Sequence, residues 1–191
     1  MKKIIVLIFA AYVSTIAALA QNLIQNGNFA TGDFTGWTVG GSYFSVQASS
    51  YGINPPSGDS YMAVADGNET LSQTFATTIG QNYALSLDNA NSRGPNNQGG
   101  VYFRGSINGT TLFTDTADLS NTSWLTSTYN FTAASASTTM QLTLNFFNAN
   151  GDGLFDDISV TPVPEPSTLA VYALGIFASF LMFRRKGVSS Y

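Results

Sequence analysis

The chain has no cysteine, no histidine, and only seven lysines and arginines in 191 residues. Without cysteine no disulfide can staple an exported domain, so its fold must rest on a core or a bound ion. Without histidine the commonest general base and the commonest transition-metal ligand are missing. Ser-His-Asp and Cys-His nucleophile systems and zinc centres are therefore excluded. Cations are scarcest where a domain can form. Between Gln21 and Thr161 only Arg93 and Arg104 stand against ten Asp and Glu, a net charge of −8, with no lysine at all. That surface has little to offer phosphates, which argues against nucleic acid as a partner, and anionic lipid repels it.

The remaining charge sits at the two ends. Lys2-Lys3 precede the apolar run Ile4–Val13, and Ala18-Leu19-Ala20 puts small residues at the −3 and −1 positions of a cleavage site. This order predicts a signal peptide over residues 1–20 and a mature start near Gln21. The alternative, a retained membrane helix, suits the run less well because it is short for a span. At the other end Val163-Pro164-Glu165-Pro166-Ser167 leads into Thr168–Phe183, which holds no charge, and then Arg184-Arg185-Lys186. As a helix, residues 168–183 reach roughly 24 Å, short against a hydrocarbon core of about 30 Å. Snorkelling by the three basic residues covers the deficit. They should hold residues 184–191 in the cytoplasm and leave 21 to about 163 outside. Pro162, Pro164 and Pro166 keep the approach extended.

This tail resembles the PEP-CTERM type, in which Pro-Glu-Pro precedes a transmembrane helix and a basic end. Pro164-Glu165-Pro166 within segment 162–167 is the signature, the helix follows within two residues, and the basic end is complete. The resemblance implies an exosortase as partner, a precursor held in the inner membrane, and a destination at the surface or in the extracellular matrix. It also implies a Gram-negative maker of extracellular polysaccharide. An ordinary C-terminal anchor is the alternative.

Residues 21–161 alternate short apolar runs with Gly, Asn, Asp and Ser clusters. Period-two patterns at Tyr83/Leu85/Leu87, Val101/Phe103, Met140/Leu142/Leu144/Phe146 and Ile158/Val160 predict half-buried antiparallel strands. Nine strands are expected: Ser42–Gln47, Ser60–Val64, Thr70–Phe75, Tyr83–Asn89, Gly100–Ile107, Thr110–Thr114, Trp124–Phe131, Thr139–Phe147 and Leu154–Thr161. Asn108-Gly109 is a tight-hairpin signal. No helical periodicity stands out. So many strands in one domain predict an all-β, antiparallel, jelly-roll-like β-sandwich.

The two ends of this region carry a second resemblance. Asn22-Leu-Ile-Gln-Asn-Gly-Asn-Phe29 with Gly36-Trp37 opens it, and Phe155-Asp-Asp-Ile-Ser-Val160 closes it. Both are similar to motifs of the galactose-binding-like jelly roll of family 4/9-type carbohydrate-binding modules. That likeness implies glycan as a ligand and a structural calcium site. Where such modules commonly carry Glu after the Phe, this chain has Ala30.

The candidate sites follow from these readings. Alternation with Ile158 and Val160 turns Asp156 inward and Asp157 outward. An inward carboxylate needs donors or a cation, and calcium accepts carboxylate and carbonyl oxygens. The resemblance offers Asp33 and Asn26 as further ligands; the alternative is an Asp satisfied by backbone N–H groups or solvent. Asn148-Ala-Asn-Gly-Asp-Gly153 mimics half a calcium loop, but Ser159 stands where an EF-hand needs Glu, so a turn is the better reading. Trp37, Trp124, Tyr43, Tyr51 and Tyr102 could stack sugars, with the core as the competing place for aromatics. Tyr51, in a Gly/Pro/Ser-rich loop, and Arg93, in the polar loop 89–100, are the expected glycan contacts. Asp66/Glu69 and Asp156/Asp157 are carboxylate pairs without a cleft motif, so no enzyme is expected. The reading is a non-catalytic surface protein that binds extracellular polysaccharide weakly, or a purely structural matrix component, with a carbohydrate-active enzyme as the remotest alternative.

Overall fold

A computed structural model describes residues 21–56, 58–92, 100–116, 122–147 and 152–164. The expected signal peptide, the span 168–183 and the basic end Arg184-Arg185-Lys186 lie outside them, as do Arg93, Glu165, Pro166 and Ser167. Among the described residues no helix is long and apolar enough to cross a membrane.

Ten strands form among the described residues: β1 (Thr38–Gly40), β2 (Phe44–Gln47), β3 (Met62–Ala65), β4 (Glu69–Ala76), β5 (Asn82–Asn91), β6 (Gly100–Ile107), β7 (Thr110–Thr116), β8 (Leu125–Thr132), β9 (Ser137–Phe147) and β10 (Gly153–Pro162). They build two five-stranded sheets, β1-β4-β9-β6-β7 and β2-β3-β10-β5-β8, paired antiparallel throughout. The sandwich is the expected one. β1, three residues long, escaped the pattern.

Period-two alternation decides which side chains meet between the sheets. Leu71, Tyr83, Leu85, Leu87, Met140, Leu142, Leu144, Ile158 and Val160 are all buried in one cluster. Phe103 meets Phe155 edge-on at 4.9 Å between ring centroids. At the open side Phe113 of β7 stacks on Tyr129 of β8 at 3.9 Å, closing the two edge strands against each other. Asn108 and Gly109 both have positive φ, 48° and 80°, the type I′ geometry that a two-residue hairpin demands.

The opening and closing motifs touch. Phe29 is fully buried and stacks on Trp37 at 5.9 Å, whose indole N–H donates to the Asn26 carbonyl at 3.0 Å. Leu23 N–H donates to the Val160 carbonyl at 2.8 Å and Ile158 N–H to the Gly27 carbonyl at 3.0 Å. The Asn22 side chain accepts from Val160 N–H at 3.0 Å. Residues 22–27 thus strap the edge of β10 that β5 leaves free. Gly27 is required by this approach, because a Cβ there would collide with the Ile158 carbonyl.

Candidate functional site

A second, smaller apolar cluster lies on the outer face of the sheet that holds β3 and β10. Met62, Val64, Ala90 and Leu154 are its buried members, with Ile53 and Trp124 packed over them. The outward side chains of β3 and β10 are therefore partly roofed by the chain between β2 and β3. Within that stretch Ser50 and Ile53 exchange two backbone hydrogen bonds, 2.9 and 2.8 Å. Tyr51 and Gly52 between them have φ of 45° and 82°. This is another type I′ turn, with tyrosine at a position that usually takes Asn, Asp or Gly. A bulky residue in the left-handed region costs energy and is tolerated where the side chain is needed. The turn leaves Tyr51 61% exposed. Trp124 props it from below, its indole N–H donating to the Asn54 carbonyl at 2.8 Å.

Beside this turn runs a groove of about 520 Å³. Ser45, Gln47 and Val64 lie along it, and Tyr43 and Tyr51 line it as the exposed aromatics. Tyr43 is 67% exposed. Asp66 and Asp152 also line it. Asp152 is buried and accepts from the Ser50 hydroxyl. Its backbone N–H donates to Ser92 Oγ at 2.8 Å, and Ser92 N–H returns a bond to its carbonyl at 2.9 Å. Burial pushes the Asp152 carboxyl upward, Ser50 opposes this, and Asp66 pushes the same way. The network joins residues 42 and 60 positions apart and ties the Tyr51 turn to the start of β10.

The aromatics named from the sequence therefore divide. Trp37 is core and Trp124 is a prop, whereas Tyr43 and Tyr51 share the groove. The side chain of Tyr102 is outside the described residues, as are Arg93 and positions 148–151 of the Asn148–Gly153 loop.

Asp156 lies elsewhere on the same outer face. It is fully buried, but not on the inward side that alternation with Ile158 and Val160 predicts. The β10–β5 register breaks between Asp156 and Ser159, and Asp157 bulges outward with φ of 48°. Phe155 faces the inter-sheet core while Leu154 belongs to the outer cluster. Asp156 therefore shares Leu154's side, opposite Asp88. One oxygen, Oδ1, accepts the Asp157 N–H at 2.9 Å; Oδ2 is buried with no partner. Desolvation pushes the carboxyl up to about 8. The Asp157 N–H pulls the other way, and the charges of Asp59, Asp157 and Asp88 add to the rise.

Asp33 and Asn26 are occupied in their own loop. Asp33 Oδ1 accepts from Thr31 Oγ1 at 2.7 Å and Thr35 N–H at 2.9 Å, which lowers its pKa. Asn26 Nδ2 donates to the Asp33 and Thr35 carbonyls at 2.9 and 3.2 Å. The acidic groups that Asp156 feels are Asp59, Asp157 and Asp88. Among the described residues no three acidic side chains stand close enough to hold a metal by themselves. The partnerless Oδ2 fits a cation, whose other oxygens would have to be largely backbone carbonyls.

Residues 162–186 match the PEP-CTERM protein-sorting motif. Its first residues are tied to the sandwich: Val163 N–H donates to the Asn82 carbonyl at 2.8 Å, and Gln81 Nε2 to the Val163 carbonyl at 2.8 Å. No curated protein matches the chain. Among solved structures it is similar to the carbohydrate-binding module TmCBM61, solved in complex with β-1,4-galactotriose. That match has 18% identity and a TM-score of 0.58, over 75% of this chain and all of the module. The enzymatically active domain of bacteriophage CBA120 tailspike protein 4 is similar at 11% identity and TM-score 0.55, over 74% of this chain and 21% of that one. So is the Clostridium thermocellum endo-1,4-β-D-xylanase 10B fragment comprising CBM22-1 and GH10 modules, complexed with xylohexaose. It shows 14% identity and TM-score 0.53, over 76% of this chain and 29% of that one. The chain thus spans well under two thirds of the last two. These likenesses establish the fold, a jelly-roll β-sandwich.

Proposed function

We propose that the sorting tail delivers this chain to the cell surface or extracellular matrix, where its sandwich holds glycan in the groove between Tyr43 and Tyr51. The observation that carries the reading is the pair of exposed tyrosines lining one groove. Aromatic faces pair with the apolar faces of pyranose rings, and the carboxylates and hydroxyls beside them accept and donate to sugar hydroxyls. The groove volume falls within the ordinary range for ligand sites. Two of the structural neighbours, solved with galactotriose and xylohexaose, support a sugar as the ligand. Binding without catalysis is the better reading. The buried Asp152 carboxylate is engaged by the Ser50 hydroxyl, so it is poorly placed to move a proton as one of two working carboxylates would.

Titration calorimetry with β-1,4-galactotriose and xylohexaose tests this. The protein should bind at least one. Tyr43→Ala and Tyr51→Ala should each weaken binding by about 1 kcal/mol, roughly fivefold, with little change in melting temperature because both rings are exposed. Full affinity in both variants would refute the groove. Export supplies a separate test. Replacing Pro164, Glu165 and Pro166 together with Ala should leave an unprocessed precursor in the membrane on immunoblot. Normal release of a shortened product would contradict a sorting role.

A structural calcium ion at Asp156 belongs to the same proposal. It would neutralise the charge crowded around Oδ2 and support the fold rather than touch the ligand.

A further inference from the structure

We propose that Glu69 is a positioning residue for the groove, its carboxylate holding the backbone of Tyr43 and so fixing the aromatic wall before any ligand arrives. This rests on the reading of the groove as a glycan site. Glu69 opens β4 on the inward side, opposite Leu144 of β9, and is buried. One oxygen, Oε1, accepts the Tyr43 N–H. The other, Oε2, is buried and has no partner. The Tyr43 carbonyl in turn accepts the Asp66 N–H at 3.3 Å. Tyr43 thus has an exposed ring on a backbone gripped from both sides.

Two glycines make the grip possible. A Cβ on Gly41, which has φ of 108°, would come within 2.8 Å of Glu69 Cγ, and one on Gly67 within 3.2 Å of Tyr43 Cδ2. Burial raises the carboxyl's pKa, the Tyr43 N–H pulls it down, and the charge of Asp66 adds to the rise. Stability alone gives no reason to keep this residue, since a half-satisfied buried carboxylate is worse for folding than an apolar side chain of similar size. Such a defect persists where function needs it. A stacking wall that is already oriented saves the ordering cost of binding.

The experiment compares wild type, Glu69→Leu and Glu69→Gln as full-length chains in detergent, by hydrogen exchange at the Tyr43 amide and by thermal melting. Leu removes the acceptor; Gln keeps a carbonyl oxygen for it. Expected are at least tenfold faster exchange of the Tyr43 amide in Glu69→Leu with an equal or higher melting temperature, and near-wild-type exchange in Glu69→Gln. Affinity for β-1,4-galactotriose should fall in the Leu variant and be rescued in the Gln variant. Unchanged Tyr43 protection in Glu69→Leu overturns the proposal. Should that variant fail to fold, Gly41→Ala, which presses on Glu69 Cγ, must speed the same exchange or the proposal is overturned. If wild type does not bind the sugar, the groove reading loses support, while the exchange result still decides whether Glu69 holds Tyr43.

Discussion

Held in EDTA, the protein should melt at a lower temperature at pH 8 than at pH 5, with Asp156 as the main cause. The folded carboxyl titrates at about 8 against an ordinary value of 3.8. Between those values the folded state binds more protons than the unfolded chain, so stability falls as pH rises and levels off above about 8. One fully differing group changes stability by about 1.4 kcal/mol per pH unit. Asp157, Asp152 and Glu69 are also raised and act in the same direction; Asp33, lowered from 3.8, stays ionised in both states over this range and adds no slope. Asp156→Asn should flatten most of the slope and raise the melting temperature at pH 8. Calcium binds the ionised form and adds RT ln(1 + [L]/Kd), roughly 2.7 kcal/mol at a hundredfold excess over Kd. Millimolar calcium should therefore restore wild type at pH 8 and leave Asp156→Asn unmoved. A melting temperature that is flat or rises from pH 5 to 8 in EDTA would contradict the protonation argument. A pH 8 melting curve indifferent to calcium would remove the ion.

Leu142→Asp should abolish folding, whereas Thr143→Asp should cost about 1 kcal/mol or less. Leu142 is a fully buried member of the inter-sheet cluster, in register with Leu71 and Gly105 on either side. A carboxylate there is an unpaired charge with nowhere to go, a change that exceeds the stability of most domains. One position along, Thr143 points to the outer face between Thr70 and Arg104, and Arg104 is exposed. An aspartate at 143 sits beside a cation and within reach of water. Circular dichroism and thermal melts of the two variants decide the matter; equal destabilisation would refute the alternation of β9.

The strands were legible because their cores repeat every second residue and their ends carry Gly, Asn and Ser. β6, Gly100–Ile107, matches its expected bounds at both ends. β1 was not legible, because Thr38–Gly40 is too short to show a period and no residue of it is fully buried. The burial of Asp156 was reached by an alternation that the bulge at Asp157 interrupts. A bulge leaves no mark on a pattern of apolar positions when acidic residues occupy it. The groove was only half visible. Tyr51 could be named as an aromatic in a Gly/Pro/Ser-rich loop and Tyr43 as one in the expected strand Ser42–Gln47, but nothing local separates them from Trp37 or Trp124. Asp152 joins Ser50 and Ser92 only through the fold, and Glu69, first read as half of a carboxylate pair, holds Tyr43 from 26 positions away.

The place of β10 has a consequence for the order of events during synthesis. Among the described residues β10 is the last strand, yet it lies in the middle of its sheet, between β3 and β5, and it also receives the opening strap of residues 22–27. A chain that emerges N-terminus first cannot close this sandwich until its final strand is free. Until then β2-β3 and β5-β8 are separate halves of that sheet, whereas the other sheet, β1-β4-β9-β6-β7, needs no strand beyond β9. The sheet that holds β10 is therefore the later of the two to become complete. Val163, bonded to Asn82 and Gln81, marks where that delay ends. The sorting motif begins at residue 162, so the strand that completes the sandwich runs directly into the tail.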